Sequence, residues 1–596
     1  MQKSKGFDPA SRYNGVFWLT FAGVGLYLLA LPPTGLWLWW LGWLVAACWT
    51  PILRRKTLPE RAYRKIWLCG TIFWAVAVHW ICYAHWATCF GWAALSCYLG
   101  IYFPLFIFFA RTIHHTRLWG NFRFPAWFAA PVAWLAVMYL QKTLMGGFGF
   151  ALLEHTQFKQ TALIQLADIG GETLVGAVMI FVGVLFGYCL PVNLSITPDT
   201  SKECVSKPSF RQIVASLVVI SLTFFTLVSY AQLRESHRIQ SEKPPLRVAL
   251  LQGSFKASLS APPGWYEEVF EKYKELAIDA ARNHNRKIDV IIWPESTCIH
   301  TWFDIDRSGV PAQMPEKKIE AELNSFLLEN NKEIIELTQT IGVPCIYGVL
   351  SYVYSEKKEK YFQYNSALLL ENVNGIDYNS TGQEQPFLHF YRYDKMLLVM
   401  FGEYIPFAEY LPEGFFLKSL CQEADFGRVP VNLILSTIND YNVGQHSDDF
   451  GRRYSYSASA NICFESSSAR LIRQQVIKLQ ELGEEPDILI NLSNDGWFHH
   501  SPQIDMHLAT HVFRAIENRK PWLAATNGGF SAGLDGSGNI LSIGQRAKNQ
   551  VVYVDLTADN RFSAYLFWGS FFHITSLGCV FFMLFSKQIS SRRGRA

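Results

Sequence analysis

Three residues in this chain have side chains suited to one chemistry and fall at equivalent points of the local pattern. Cys463 ends the run SYSASANIC, Glu295 ends DVIIWPE, and Lys395 follows the strand-like PFLHFYRYD. A thiol attacks a carbonyl carbon as thiolate, yet a free thiol is mostly protonated at neutral pH and needs a base. A glutamate partly desolvated against Trp293 has its pKa raised towards that role. The attack creates an oxyanion, which a fixed ammonium such as Lys395 stabilises together with backbone N–H groups. Singly, each has an ordinary reading: a buried core thiol, a solvated carboxylate, a surface lysine with its head in water. Together they supply nucleophile, base and charge stabiliser for one acyl transfer. A second carboxylate, Glu403, lies eight residues beyond Lys395 in YRYDKMLLVMFGEYIP.

The elements that must position them read as a layered α/β domain. LRVALLQGS (246–254) is strand-like and is followed by an amphipathic helix over 265–283. DVIIWPE (289–295), a helix over 317–342, PCIYGVLSYVY (344–354) and NSALLLEN (365–372) come next. SYSASANICFES, DILINLSNDGWF, PWLAATNGGFSAGLDGSG and VVYVDL supply later strands, with a hairpin turning at 535–538. Apolar strands alternating with helices predict a mostly buried sheet. Working groups in such folds gather beyond strand ends, where all three candidates fall.

The rest of the chain is of another kind. Half of its 596 residues are hydrophobic and only 17% are charged, which with 44 Phe and 20 Trp argues for a membrane protein. Apolar runs at about 15–31, 35–51, 64–84, 89–111, 125–141, 168–190, 211–230 and 564–586 predict about eight spans. With the N-terminus cytoplasmic, Lys and Arg concentrate in the 53–65, 111–123 and 191–211 loops and in the tail SKQISSRRGRA, while the opposite loops at 31–34 and 84–91 carry none. That threading puts about 232–563 outside the cytoplasm and both termini inside. The expected domains are a seven-span bundle at 1–231, a catalytic domain at 232–563, and a last span with its basic tail at 564–596. The net charge of +4 gives no case for nucleic acid. The 12 Cys show no CxxC pair or zinc spacing. His499 and His500 read as exposed loop residues.

WPE, a Lys preceding FGEYIP, ICFE and NLSNDGWF together resemble the nitrilase superfamily, in which Glu, Lys and Cys sit on an αββα sandwich. With the membrane runs, and with VALLQGS, LIQLADIGG and RAIENRKPWLAATNGG, the chain is similar nearly end to end to the apolipoprotein N-acyltransferase family of the bacterial inner membrane. The resemblance implies Glu295 as general base, Lys395 as stabiliser of the tetrahedral intermediate and Cys463 as nucleophile. It implies Glu403 as a second glutamate near the site, and Trp265, Phe464 and Glu465 as lid or pocket residues. Phe464 stands where the family usually has Tyr, Met400 where it has Pro before FGE, and GGFGF (146–150) lacks the family's following Pro-Trp.

The implied reaction is ping-pong and uses no metal or cofactor. Cys463 takes an acyl chain from a phospholipid, phosphatidylethanolamine being the implied donor. The thioester then passes it to the α-amino group of a diacylglyceryl-cysteine at an apolipoprotein N-terminus. Both substrates are anchored in one leaflet, which raises their effective concentration. The same triad on a small soluble amide would make the protein a membrane-tethered amidase. A third class is a silent lipid- or lipoprotein-binding factor. The apolar stretch 407–420 is expected to be an arm that dips into the interface. An oxidising periplasm would allow pairing among Cys298, Cys345 and Cys421, with Cys463 left free.

Overall fold

The computed structural model describes residues 14–32, 38–118, 122–190, 208–238, 242–258, 261–283, 287–306, 325–371, 376–378, 384–386, 389–405, 410, 412, 424–438 and 453–593. The expected arm at 407–420 lies almost wholly outside them, as does Cys421. The chain divides into two compact units, Met1–His237 with Ser563–Ala596, and Arg238–Phe562.

Among its described residues the first unit holds helices and connecting loops and no strand. Among the described residues, four helical stretches are long and apolar enough to cross a membrane: Thr88–His115, Ala126–Gly146, Glu172–Cys189 and Phe210–Ser236. The 15–31 run forms the unbroken 17-residue helix Asn14–Ala30, and the other three apolar runs coil less regularly. The 35–51 run forms a tight 3-10 turn, Trp39–Leu44, before the helix Val45–Arg54, which contains Pro51. The 64–84 run is the helix Ala62–Ala77 followed by the 3-10 segment His79–Tyr83. The last run breaks at Gly569 between Ala564–Trp568 and Phe571–Arg593. Proline and 3-10 geometry interrupt the hydrogen-bond ladder, so these runs yield helices shorter than their apolar length suggests. Charge buried in this unit is paired: Lys142 meets Glu172 at 2.5 Å, and His155 meets the other Glu172 oxygen at 2.9 Å.

The second unit is built on two sheets. In chain order its strands are β1 Leu246–Gln252, β2 Val290–Ile292, β3 Trp302–Asp306, β4 Cys345–Ser355, β5 Lys360–Leu370, β6 Ile376–Tyr378, β7 Glu384–Pro386, β8 Phe390–Asp394, β9 Asn432–Ile438, β10 Arg453–Ile462, β11 Ile488–Asn494, β12 Trp522–Asn527, β13 Ala532–Leu534, β14 Ile540–Ile543 and β15 Gln550–Leu556. One sheet runs β15-β1-β2-β4-β5-β8, with β3 beside β4; the other runs β14-β13-β12-β11-β10-β9. Strands β1, β2 and β4 are mutually parallel, as are β10, β11 and β12. The hairpin expected at 535–538 is the antiparallel β13–β14 pair.

Alternation along the strands explains the layering. Leu246, Val248 and Leu250 of β1 share one core with Ala458, Ala460 and Ile462 of β10 and with Ile488, Ile490 and Leu492 of β11, so the two sheets pack face to face. The opposite β1 residues, Ala249 and Leu251, pack with Val269, Phe270 and Tyr273 of the helix Trp265–Ala281 and with Ile334 and Ile341 of Lys332–Ile341. On the far side, the helices Ala469–Glu481 and Gln503–Asn518 lie against β10 and β12. The order is helix, sheet, sheet, helix, with parallel strands buried on both faces.

Candidate active site

Glu295 follows β2 across a Trp-Pro step. Trp293 is fully buried against Tyr347, Tyr273 and Phe270. Its amide donates to Ile346 O on β4 at 2.8 Å, so the strand end is held by both packing and ladder. The carboxylate of Glu295 accepts on both oxygens. Oε1 takes Lys395 Nζ at 3.0 Å and Asn365 Nδ2 at 2.8 Å, and Oε2 takes the Asn494 amide at 3.0 Å.

Lys395 begins immediately after β8, and its amide donates to Asn365 O at 2.9 Å. Its side chain is 1% exposed. Burial works against its charge, but Glu295 and Glu403 outweigh it and hold the ammonium protonated well above the usual lysine range. Glu403 Oε1 receives Lys395 Nζ at 2.7 Å and Asn365 Nδ2 at 3.2 Å, while Oε2 receives the Val399 amide at 2.8 Å. One ammonium is thus clamped between two carboxylates, and one amide side chain braces both.

Cys463 follows β10 at the head of the 3-10 turn Cys463–Ser467, with φ +52°. A non-glycine residue in the left-handed region is strained and turns its side chain sharply out of the strand line. Burial pushes the thiol well above its usual pKa, and Glu295 pushes the same way; Lys395 and the Ser493 hydroxyl pull it back. Glu295, Lys395 and Cys463 therefore act on one another electrostatically, and burial together with Glu295 favours the neutral thiol.

Glu465 is fully buried. It accepts the amides of Met396 at 2.6 Å, Leu397 at 2.9 Å and Ile462 at 2.7 Å, together with Tyr393 Oη at 2.8 Å. Those contacts tie the turn that carries Cys463 to the loop that carries Lys395. Burial pushes this carboxyl up to about 7, against the donors that favour its charge. Phe464 beside it is half-buried. Trp265 opens its helix, donating from Nε1 to Lys256 O at 3.2 Å and packing edge-on to Phe255, so its contacts are with the 255–256 segment.

Among the described residues no group of three His, Cys, Asp or Glu side chains is arranged to hold a metal ion, and His499 and His500 are exposed. Cys298, Cys345 and Cys463 are free thiols. Burial raises Cys298 and Cys345 to about 12.

Sequence reasoning assigned no part to Asn365, Ser493, Asn494, Asp495 or His507. Asn365 interrupts an apolar strand, which is a readable signal: a lone amide in such a strand needs partners. Asn494 and Asp495 sit inside the noted run INLSNDGWF. His507 carries no local mark, because its role depends on a helix far along the chain.

The segment 247–562 matches the family model described as carbon-nitrogen hydrolase, and 22–185 matches the apolipoprotein N-acyltransferase N-terminal domain. The chain belongs to the carbon-nitrogen hydrolase family. With its second match it is an N-acyltransferase enzyme of that family, and its chain also carries apolar helices. It is 25% identical to the apolipoprotein N-acyltransferase of Rhodopirellula baltica over 89% of this chain and 90% of that one. It is 26% identical to the Haemophilus ducreyi apolipoprotein N-acyltransferase over 83% and 80%. Nit3 of Saccharomyces cerevisiae, described as a nitrilase-superfamily member, aligns at 12% identity and a TM-score of 0.31, covering 55% of this chain and 96% of that one.

Proposed function

We propose that the protein moves a fatty acyl chain from a phospholipid to the N-terminal α-amino group of a diacylglyceryl apolipoprotein through a thioester on Cys463. The observation that carries this reading is the clamp of Lys395 between Glu295 and Glu403 beside the strained Cys463. Glu295 removes the thiol proton as sulfur attacks the ester carbonyl, and Lys395 stabilises the oxyanion. Because the resting thiol is neutral, proton transfer accompanies attack. The ester C–O bond breaks, Glu295 returns the proton to the leaving oxygen, and a lysophospholipid departs. The incoming amine then attacks the thioester; it forms the amide bond, gives a proton to Glu295, and the thiolate leaves and regains it.

Phosphatidylethanolamine is the donor in this proposal. Eight membrane crossings hold the enzyme in the bacterial inner membrane, with both termini cytoplasmic and the catalytic domain, 232–563, on the periplasmic side between the bundle 1–231 and the last span 564–596. Glu403, Trp265, Phe464 and Glu465 shape or support the site. The support for lipid chemistry over hydrolysis of a soluble amide is the apolar unit, which a soluble substrate does not require.

The test is incubation of the purified protein with acyl-labelled phosphatidylethanolamine. A hydroxylamine-labile labelled adduct that is absent in Cys463→Ala supports the reading. No adduct from lipid, with turnover of small amides instead, overturns it in favour of an amidase.

A further inference from the structure

Behind the strained turn lies a buried pair that the reaction above does not use. Asp495 follows β11 in the 3-10 segment Asp495–Phe498, and His507 lies on the helix Gln503–Asn518. Both are almost fully buried. His507 Nδ1 is 3.0 Å and 3.1 Å from the two Asp495 carboxylate oxygens. Its Nε2 reaches Cys463 O at 3.3 Å and Ser466 Oγ at 2.9 Å. The same carbonyl receives Asn491 Nδ2 at 3.3 Å and Ser466 Oγ at 3.2 Å. From the other side, Ser493 Oγ donates to Asp495 Oδ1 at 3.1 Å, and the same residue acts electrostatically on the Cys463 thiol. Gln503 Nε2 steadies Asp495 at 3.1 Å.

We infer that His507 and Asp495 are a positioning pair that holds Cys463 from two sides, through its peptide carbonyl and, by way of Ser493, through its thiol. The inference rests on Cys463 being the nucleophile. Nδ1 carries a proton towards Asp495, and Nε2 donates to the Cys463 carbonyl only when it is protonated too, so in this inference the working form is the imidazolium. Burial opposes that form; Asp495 favours it, the Cys463 carbonyl helps, and Glu295 adds more distantly. The balance holds His507 above the usual histidine range. Deprotonation removes one of the two bonds and loosens the hold on either Asp495 or the Cys463 peptide, each of which keeps its other donors. The left-handed φ at Cys463 makes that peptide the part most in need of outside support.

The test uses the full-length protein in detergent and reads Cys463 directly. Alkylation of Cys463 by iodoacetamide is followed by peptide mass across pH in the wild type, His507→Gln and Ser493→Ala. Both variants are expected to alkylate roughly tenfold slower or more, with kcat for acyl transfer falling alongside and KM within about twofold. The break on the alkaline side of the wild-type profile is expected to vanish in His507→Gln. Alkylation within about twofold of wild type in Ser493→Ala, with an unchanged profile in His507→Gln, overturns the inference. Should His507→Gln fail to fold, Ser493→Ala decides alone, since it keeps the helix packing intact. Full acyl transfer by Cys463→Ala overturns the functional reading instead, and the alkylation comparison needs no substrate.

Discussion

Glu465 accepts the Met396 amide at 2.6 Å, so the residue two after the thiol is bonded to the residue one after the lysine. The carboxylate that does this has four donors and no solvent. Glu465→Gln turns an NH2 group towards peptide N–H donors and leaves at least one unpaired, at a cost of ~1–3 kcal/mol. The expected loss of kcat is roughly a hundredfold, since the loops that carry Cys463 and Lys395 shift together. The stability change has a sign that pH reveals. The folded carboxyl sits at about 7 against 4.5 for the free group, so folding favours its protonated form. That contribution is complete below pH 4.5 and is lost as pH rises through 7, amounting to about 3 kcal/mol. The unfolding midpoint of the wild type is expected to fall relative to Glu465→Gln across this window. Parallel curves for the two proteins would contradict it.

Lys395 is expected to be as much a structural charge as a catalytic one. Lys395→Met leaves Glu295 and Glu403 facing each other without a counter-ion, a change that costs ~3–5 kcal/mol in buried pairs. Adding Glu403→Gln removes one of the two carboxylates. Denaturant unfolding should then show the double variant more stable than the sum of the single losses, by ~1–3 kcal/mol. Acyl transfer should stay absent in both, because no ammonium faces the oxyanion. Additive losses would mean that the clamp is not a coupled unit.

The three candidate residues were legible because each follows a strand closely, and strand ends are local features. The two-sheet order was legible only as alternating apolar runs; which strand neighbours which is set by pairings far apart in sequence, such as β1 with β15. Glu465 read as a pocket residue from its adjacency to Cys463, whereas its burial depends on the Lys395 loop folding back over it. His507 and Asn365 were silent for the same reason. In the first unit, composition marks apolar length well but not the interruptions at Trp39–Leu44, His79–Tyr83 and Gly569, where backbone geometry decides how much of each run is helix.

Asn365 braces the two glutamates and offers a test of how their charges are held. Its Nδ2 lies 2.8 Å from Glu295 Oε1 and 3.2 Å from Glu403 Oε1. Asn365→Asp puts a third carboxylate beside the clamp and disfavours ionisation of its neighbours. The acid limb of the kcat/KM profile should move to higher pH, because Glu295 must be ionised to accept the thiol proton. Asn365→Ala should lower kcat by ~10–100-fold without moving that limb. An unmoved limb in Asn365→Asp would show that the group governing it is not Glu295.

Gly348 on β4 touches no reacting group, yet it should be among the most sensitive positions in the site. A Cβ there would lie 2.3 Å from Pro294 O and 2.6 Å from Glu295 Cα, both backbone atoms that cannot rotate away. Parallel pairing of β4 with β2 and the Trp293 amide bond to Ile346 O fix the approach, so Gly348→Ala must displace the Trp293–Glu295 turn itself. The expected result is a kcat reduced ~100-fold or more with KM nearly unchanged, since a shift of about 1 Å in a base is enough. Gly342 supplies the control. It caps the helix Lys332–Ile341 at φ +76° with open space around its Cβ position, so Gly342→Ala should cost ~1–2 kcal/mol of stability through backbone strain alone. Steady-state kinetics on the two variants separate the cases: activity lost at 348 and kept at 342 places the constraint in the Glu295 turn, whereas equal losses would assign both to general destabilisation.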